Sequence, residues 1–100
     1  MTGKETTGEI ELSGKMMSSE ASNLKAMIAE HSGRPLRVHA GQVAALGAQC
    51  IQVLLAARSS WSRRDLDFEV VAPSADMQSA LQAFGLTAEE IGVREDTNGA

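Results

Sequence analysis

The sequence is poor in the residues that usually form crosslinks or carry out chemistry. Its 100 residues include one cysteine, two histidines, one tryptophan, two phenylalanines and no tyrosine. A single cysteine excludes an intrachain disulfide framework, and no zinc-ligand spacing occurs. No apolar run approaches the roughly 18 residues of a membrane span, and the polar start at residues 1–5 lacks the apolar core of a secretory signal. These absences predict a reduced, cytoplasmic protein.

What is present is enough for one domain with a core. The chain length corresponds to one domain rather than two, and 43% of its residues are hydrophobic. The net charge of −4 is distributed unevenly, because residues 21–64 carry six basic residues and one acidic residue. Those basic residues lie at the ends of predicted elements, and aromatic residues that could stack on bases are almost absent. We therefore expect a solvated surface and no nucleic-acid partner.

Short strands and helices alternate along the chain. Alternating polar and apolar residues predict strands at 9–12, 36–40 and 67–71. Helical spacing predicts helices that begin near Ser18, Ala48 and Ser74, and a final turn over 87–91 with Thr87 and Glu90 as a capping box. Ser13 and Gly14 are expected to end the first strand, and residues 41–47 to form a loop after the second.

This order, β-α-β-α-β-α-α, predicts an α/β fold. Strands that alternate with helices favour crossover connections, and hence a mainly parallel sheet of four or fewer strands with helices packed on it. The polar stretches 1–8 and 95–100 are expected to be flexible tails on either side of a domain at 9–94.

The central helix has two apolar sides. One side is predicted to face the core, and it holds Leu46, Cys50, Val53, Leu54, Ala57 and Trp61. The opposite side holds Ala48, Ile51, Gln52, Leu55 and Ser59, which is too apolar a set for a fully solvated face. Two interpretations remain open: a loop partly covers this side, or it is a docking surface for a partner.

Candidate reactive groups are few. Cys50 lies on the core side of the central helix, which favours packing over a reactive thiol. Gly33 and Pro35 separate His31 from His39, so these do not form a helical ligand pair, and no phosphate-binding glycine motif occurs. We expect no metal, no cofactor and no catalytic residue. Met17 and Met77 are predicted to be core residues, and Met16 and Met27 surface residues.

Residues 9–86 resemble a STAS domain, the fold of bacterial anti-sigma-factor antagonists and related regulators. In those domains a "DSSGLxxLL" motif opens the long helix, and "PSxxVxxxL" and "GL" follow. Here residues 46–55, LGAQCIQVLL, match the motif helix. Residues 73–77, PSADM, and the pair Gly85-Leu86 match the later part.

The motif turn departs from the family pattern at the positions that matter most. The serine that a partner kinase phosphorylates falls on Ala48, and the aspartate before it falls on Gly47. The next serine falls on Gln49, and the glycine on Cys50. Alanine has no hydroxyl group, so the resemblance implies a domain in which the phosphoserine switch cannot operate at this position.

The resemblance implies a non-catalytic regulatory module that binds a protein partner. It would dock on a bacterial signalling kinase, of the chemotaxis or anti-sigma type, through Gly47, Ala48, Gln49, Ile51, Gln52 and Leu55. The amino-acid sequence of the motif is also similar to that of small stand-alone STAS proteins found with chemotaxis genes. One alternative is a cytoplasmic accessory subunit of an ABC-type lipid transporter. Another is a small-molecule or nucleotide sensor, or an enzyme that uses Cys50. A monomer or weak dimer is expected.

Overall fold

A computed structural model describes residues 6–94. The expected order of elements is confirmed. The elements are β1 (Gly8–Met16), a first 3-10 helix (Ser18–Glu20), α1 (Ala21–Ala29), β2 (Leu36–Leu46), α2 (Ala48–Arg63), β3 (Phe68–Val71), α3 (Ala75–Ala83) and a second 3-10 helix (Ala88–Ile91). Residues 1–5 and 95–100, which belong to the two predicted tails, lie outside the described residues.

The three strands form one parallel sheet in the order β1-β2-β3. Neighbouring parallel strands joined by a helix form right-handed crossovers, which bring both connecting helices to the same face of the sheet. The contact between α1 and α2 agrees with this arrangement. The predicted fold class, a small α/β layer with a parallel sheet and helices packed on it, is therefore confirmed.

Two strands are longer than predicted, because glycines that indicated turns instead lie in bulges or in extended backbone. The β1–β2 pairing shifts register between Glu11 and Ser13, and again between Gly14 and Lys15, each time with an extra residue on β2. Gly14 has a φ of +70°, which few other residues adopt, and this lets β1 continue to Met16. The predicted loop at 41–47 is wrong, since β2 runs on to Leu46.

The core is a single apolar cluster between the sheet and the helices. It contains the inward residues of all three strands, and no polar or charged side chain of the described residues is buried. Ser74 fastens α3 to β2: its hydroxyl donates to the Val43 carbonyl oxygen over 2.5 Å and accepts from the Met77 N–H. Met77 and Leu81 then reach the core, whereas Phe84, next to the end of α3, is 51% exposed.

The outward side chains of the strands form charged rows. Arg37 lies 3.7 Å from a carboxylate oxygen of Glu9 on β1 and 3.7 Å from one of Glu69 on β3. His39 Nε2 lies 2.6 Å from Glu9 Oε1. The hydrogen bond with His39 lowers the pKa of the Glu9 carboxyl. This outward surface is polar and solvated, so it needs no partner to cover it.

Candidate functional site

The motif turn is a direct and tightly packed junction between β2 and α2. Gly47 N–H donates to the Met16 carbonyl oxygen over 2.9 Å, and Ile51 N–H donates to the Gly47 carbonyl oxygen over 3.1 Å. A side chain added at Gly47 would meet Met17 atoms at 3.4 to 3.5 Å. The end of β1 therefore fixes the start of α2. The docking loop expected before this helix does not exist, because those residues belong to a hydrogen-bonded strand.

The six predicted binding residues divide by exposure. Ala48, Gln49 and Gln52 are exposed, and Gly47 and Leu55 are half-buried. Ile51 is only 3% exposed, so its expected place on an exposed side is wrong. A residue this deeply buried cannot contact a docked partner.

The burial of Ile51 follows from how much of α2 is covered. In addition to α1 and β3, both 3-10 helices contact α2. The second one is held by Arg58, whose Nη1 donates to the Glu90 carbonyl oxygen over 3.1 Å. Glu90 in turn accepts from the Thr87 N–H over 2.8 Å, as the predicted capping box requires. The chain after α3 therefore folds back on α2, which matches the first open interpretation for part of this side.

Met17 is a surface residue that sequence reasoning missed. It was expected in the core because its spacing to Ala21 and Leu24 is helical, but α1 begins only at Ala21. Met17 is 44% exposed, whereas Met16, expected at the surface, is 5% exposed because it ends β1 on the inward side. Its contact with Gly47 places Met17 beside the start of α2.

The uncharged residues at and beside the exposed start of α2 are here named the docking face. It consists of Met17, Gly47, Ala48, Gln49, Gln52 and the half-buried Leu55. The sequence has no charged residue between Ala48 and Ala57, so the exposed side of this half of α2 is small, apolar or amide-bearing. Covering a surface of this composition buries no charge, and only its amide groups then need hydrogen-bond partners.

Cys50 lies beneath the docking face and not in it. Its side chain is fully buried, and Sγ donates to the Met17 carbonyl oxygen over 3.3 Å. Burial raises the pKa of the Cys50 thiol, and the negative charge of Glu20 adds to the shift. A buried thiol that is harder to ionise is a poor nucleophile. These features favour a packing role for Cys50.

Cys50 is therefore expected to resist thiol reagents at neutral pH until the protein unfolds. Because the domain must open before a reagent reaches Sγ, labelling of native protein should be at least about 100-fold slower than in denaturant. Mass spectrometry over time measures this. Gln49→Cys in a Cys50→Ser background is the exposed control and should label at once. Rapid stoichiometric labelling of native wild type would show a reactive cysteine.

The described residues contain no group of three or more histidine, cysteine or acidic side chains that could hold a metal ion. No helix within 6–94 is long and apolar enough to cross a membrane.

The described residues thus form a small α/β domain with an uncharged, exposed surface at the start of α2. A comparison with protein families matches residues 2–93 to the family described as "Mlab, STAS domain". The chain belongs to the STAS domain family, which confirms the resemblance drawn from the motif helix. Comparisons with curated proteins and with solved structures found no match.

Proposed function

We propose that the chain is a cytoplasmic, non-catalytic regulatory module that docks on a bacterial signalling kinase through the docking face. The observation that carries this proposal is an exposed and uncharged start of α2, with Ala48 at the position of the family's phosphoserine. Membership of the STAS family supports a regulatory or binding role in general. Without a hydroxyl at this position, binding depends on concentration and affinity and not on phosphorylation of the turn.

The docking face has the features of a small protein interface. Met17 offers a flexible apolar side chain, which adapts to irregular partner surfaces. Gln49 and Gln52 offer amide groups that can donate and accept hydrogen bonds. The hydrogen-bonded junction at Gly47 fixes the backbone that carries these groups, so binding has to order only their side chains. A few residues near the centre of such a surface are expected to dominate the binding energy.

A second candidate is an accessory subunit of an ABC-type lipid transporter. Stand-alone STAS proteins serve in such transporters, and the description of the matching family names Mlab. In this case the same docking face would contact the ATPase subunit. The two candidates share the surface and differ only in the partner, so one binding experiment with both partners separates them.

Gln52→Asp is expected to weaken the proposed complex by at least about tenfold, because it places an unpaired charge at the centre of the docking face. Biolayer interferometry would measure binding of the purified domain to a purified chemotaxis or anti-sigma kinase and to a purified transporter ATPase. Gln82→Asp is the matched control, since Gln82 is an exposed residue of α3. Equal affinities for wild type and Gln52→Asp would reject the docking face, and binding to neither partner would reject both candidates.

A further inference from the structure

A groove of about 670 Å³ runs between α1 and α2, beside the docking face. Its walls are made of small or uncharged side chains, which are Ala21, Ser22 and Ala29 on α1 and Gln49, Gln52 and Ala56 on α2. Small side chains keep the groove open, so another chain can approach the two helices closely. The nine residues of α1 span about 13 Å at 1.5 Å per residue, which is enough to seat two to three turns of a helix.

The charge around this groove has one sign. Lys25 is its only charged lining residue. At the far end, the groove is lined by Trp61, whose indole N–H donates a hydrogen bond of 2.7 Å to the backbone carbonyl oxygen of Arg34. The acidic residues beside α1, Glu20 and Glu30, line a separate depression against β1. The lining of the groove is therefore uncharged except for one cation, Lys25.

We propose that this groove takes an amphipathic helix of the partner protein, with apolar residues facing the groove and acidic residues facing Lys25. A helix laid in a groove buries an apolar face, and charge complementarity at the rim sets its specificity. This inference rests on the proposed function, since Gln49 and Gln52 belong both to the docking face and to the groove. The inference adds the chemistry of the partner segment and the place on the domain where that segment binds.

Two synthetic peptides test directly whether the groove binds an acidic amphipathic helix. Both are helical and share one face of leucine and alanine; one carries glutamate on its flanks and the other carries lysine. Fluorescence anisotropy at low salt is expected to show about tenfold tighter binding of the acidic peptide, and salt should weaken it. Backbone NMR shifts caused by the acidic peptide should centre on Ser22, Gln52 and Ala56.

Charge reversal at Lys25, compared with charge reversal outside the groove, tests the electrostatic part of the proposal. Lys25→Glu should remove the preference for the acidic peptide, whereas Lys15→Glu, at an exposed position on β1 outside the groove, should keep it. Equal binding of the two peptides, no binding of either, or shifts centred elsewhere would overturn the proposal.

The two proposals fail in different ways. If Gln52→Asp abolishes binding to the purified partner while Lys25→Glu leaves it unchanged, the docking face stands and the groove is rejected. If the acidic peptide seats as expected and neither purified partner binds, the groove stands and the kinase and transporter candidates are rejected.

Discussion

Ala48→Asp is expected to leave the fold as stable as wild type, or more stable, and to weaken partner binding by at least about tenfold, or ~1.4 kcal/mol. The position explains the first effect. Ala48 is the first residue of α2, and neither an acidic residue nor a side-chain cap stabilises that helix start. A carboxylate near the free N–H groups of a first turn contributes about 0.3–1 kcal/mol.

The loss of binding has a separate cause. Ala48 is exposed and lies in the uncharged docking face, between Gly47 and Gln49. A partner that covers this face would bury the new carboxylate without a matching cation, which costs more than the small gain in helix stability. Stability and affinity are thus expected to move in opposite directions, so reduced binding could not be attributed to unfolding.

Thermal melts by circular dichroism and affinity by biolayer interferometry measure the two effects on the same samples. Ala75→Asp is the matched control, because Ala75 is exposed and holds the equivalent first position of α3, which packs on β2. It should bind the partner as wild type does. If Ala48→Asp and Ala75→Asp bound equally well, the start of α2 would not be in the interface.

Ala48→Ser adds a test of the partner's class. The hydroxyl restores the family's acceptor without a charge, so this variant should bind as wild type does when no ATP is present. A serine kinase partner could then phosphorylate it, and binding would fall after incubation with ATP. A transporter ATPase would not modify Ser at this position, so binding would persist.

The order of elements could be predicted because each segment has a clear period. The central helix shows this best: of its six predicted core-side residues, five are buried and Val53 is half-buried. The strand ends could not be predicted in the same way. Gly14 and Gly41 are residues typical of turns, yet bulges accommodate both glycines within the paired strands. Whether a glycine ends a strand depends on the neighbouring strand, which local sequence does not specify.

The exposure of the candidate site residues was predicted only in part, again because local sequence does not specify long-range packing. The resemblance located the start of α2, and three of the six residues are exposed there. The prediction that Ile51 is exposed was wrong because the second 3-10 helix and its neighbours cover more of α2 than the apolar pattern of α2 indicates. Met17 was missed because its helical spacing extends into a segment before α1 begins. Both errors concern long-range packing, for which a single sequence carries no periodic signal.

Trp61 joins three parts of the fold, and its removal is expected to have the largest effect on stability. Its ring, 6% exposed, meets the Phe68 ring of β3 edge-on at 5.9 Å. Its indole N–H donates to the Arg34 carbonyl oxygen, just before β2, over 2.7 Å. The end of α2 is thereby fixed to β3 and to the segment that follows α1.

Trp61→Ala is expected to lower the free energy of unfolding by about 3–5 kcal/mol, because it leaves a large cavity and an unpaired carbonyl group. Domains of this size have a free energy of unfolding of about 5–15 kcal/mol in total, so the variant should lose a large fraction of its stability. Trp61→Phe keeps a ring beside Phe68 but loses the donor and part of the ring volume, so a smaller loss of about 1–3 kcal/mol is expected.

Urea denaturation followed by circular dichroism measures both variants, since fluorescence is lost with the single tryptophan. Phe84→Ala is the control, because this exposed aromatic residue should change stability by less than about 0.5 kcal/mol. A loss for Trp61→Ala as small as that of the control would mean that the end of α2 is held elsewhere. The Phe68 contact and the Arg34 hydrogen bond would then contribute little to the fold.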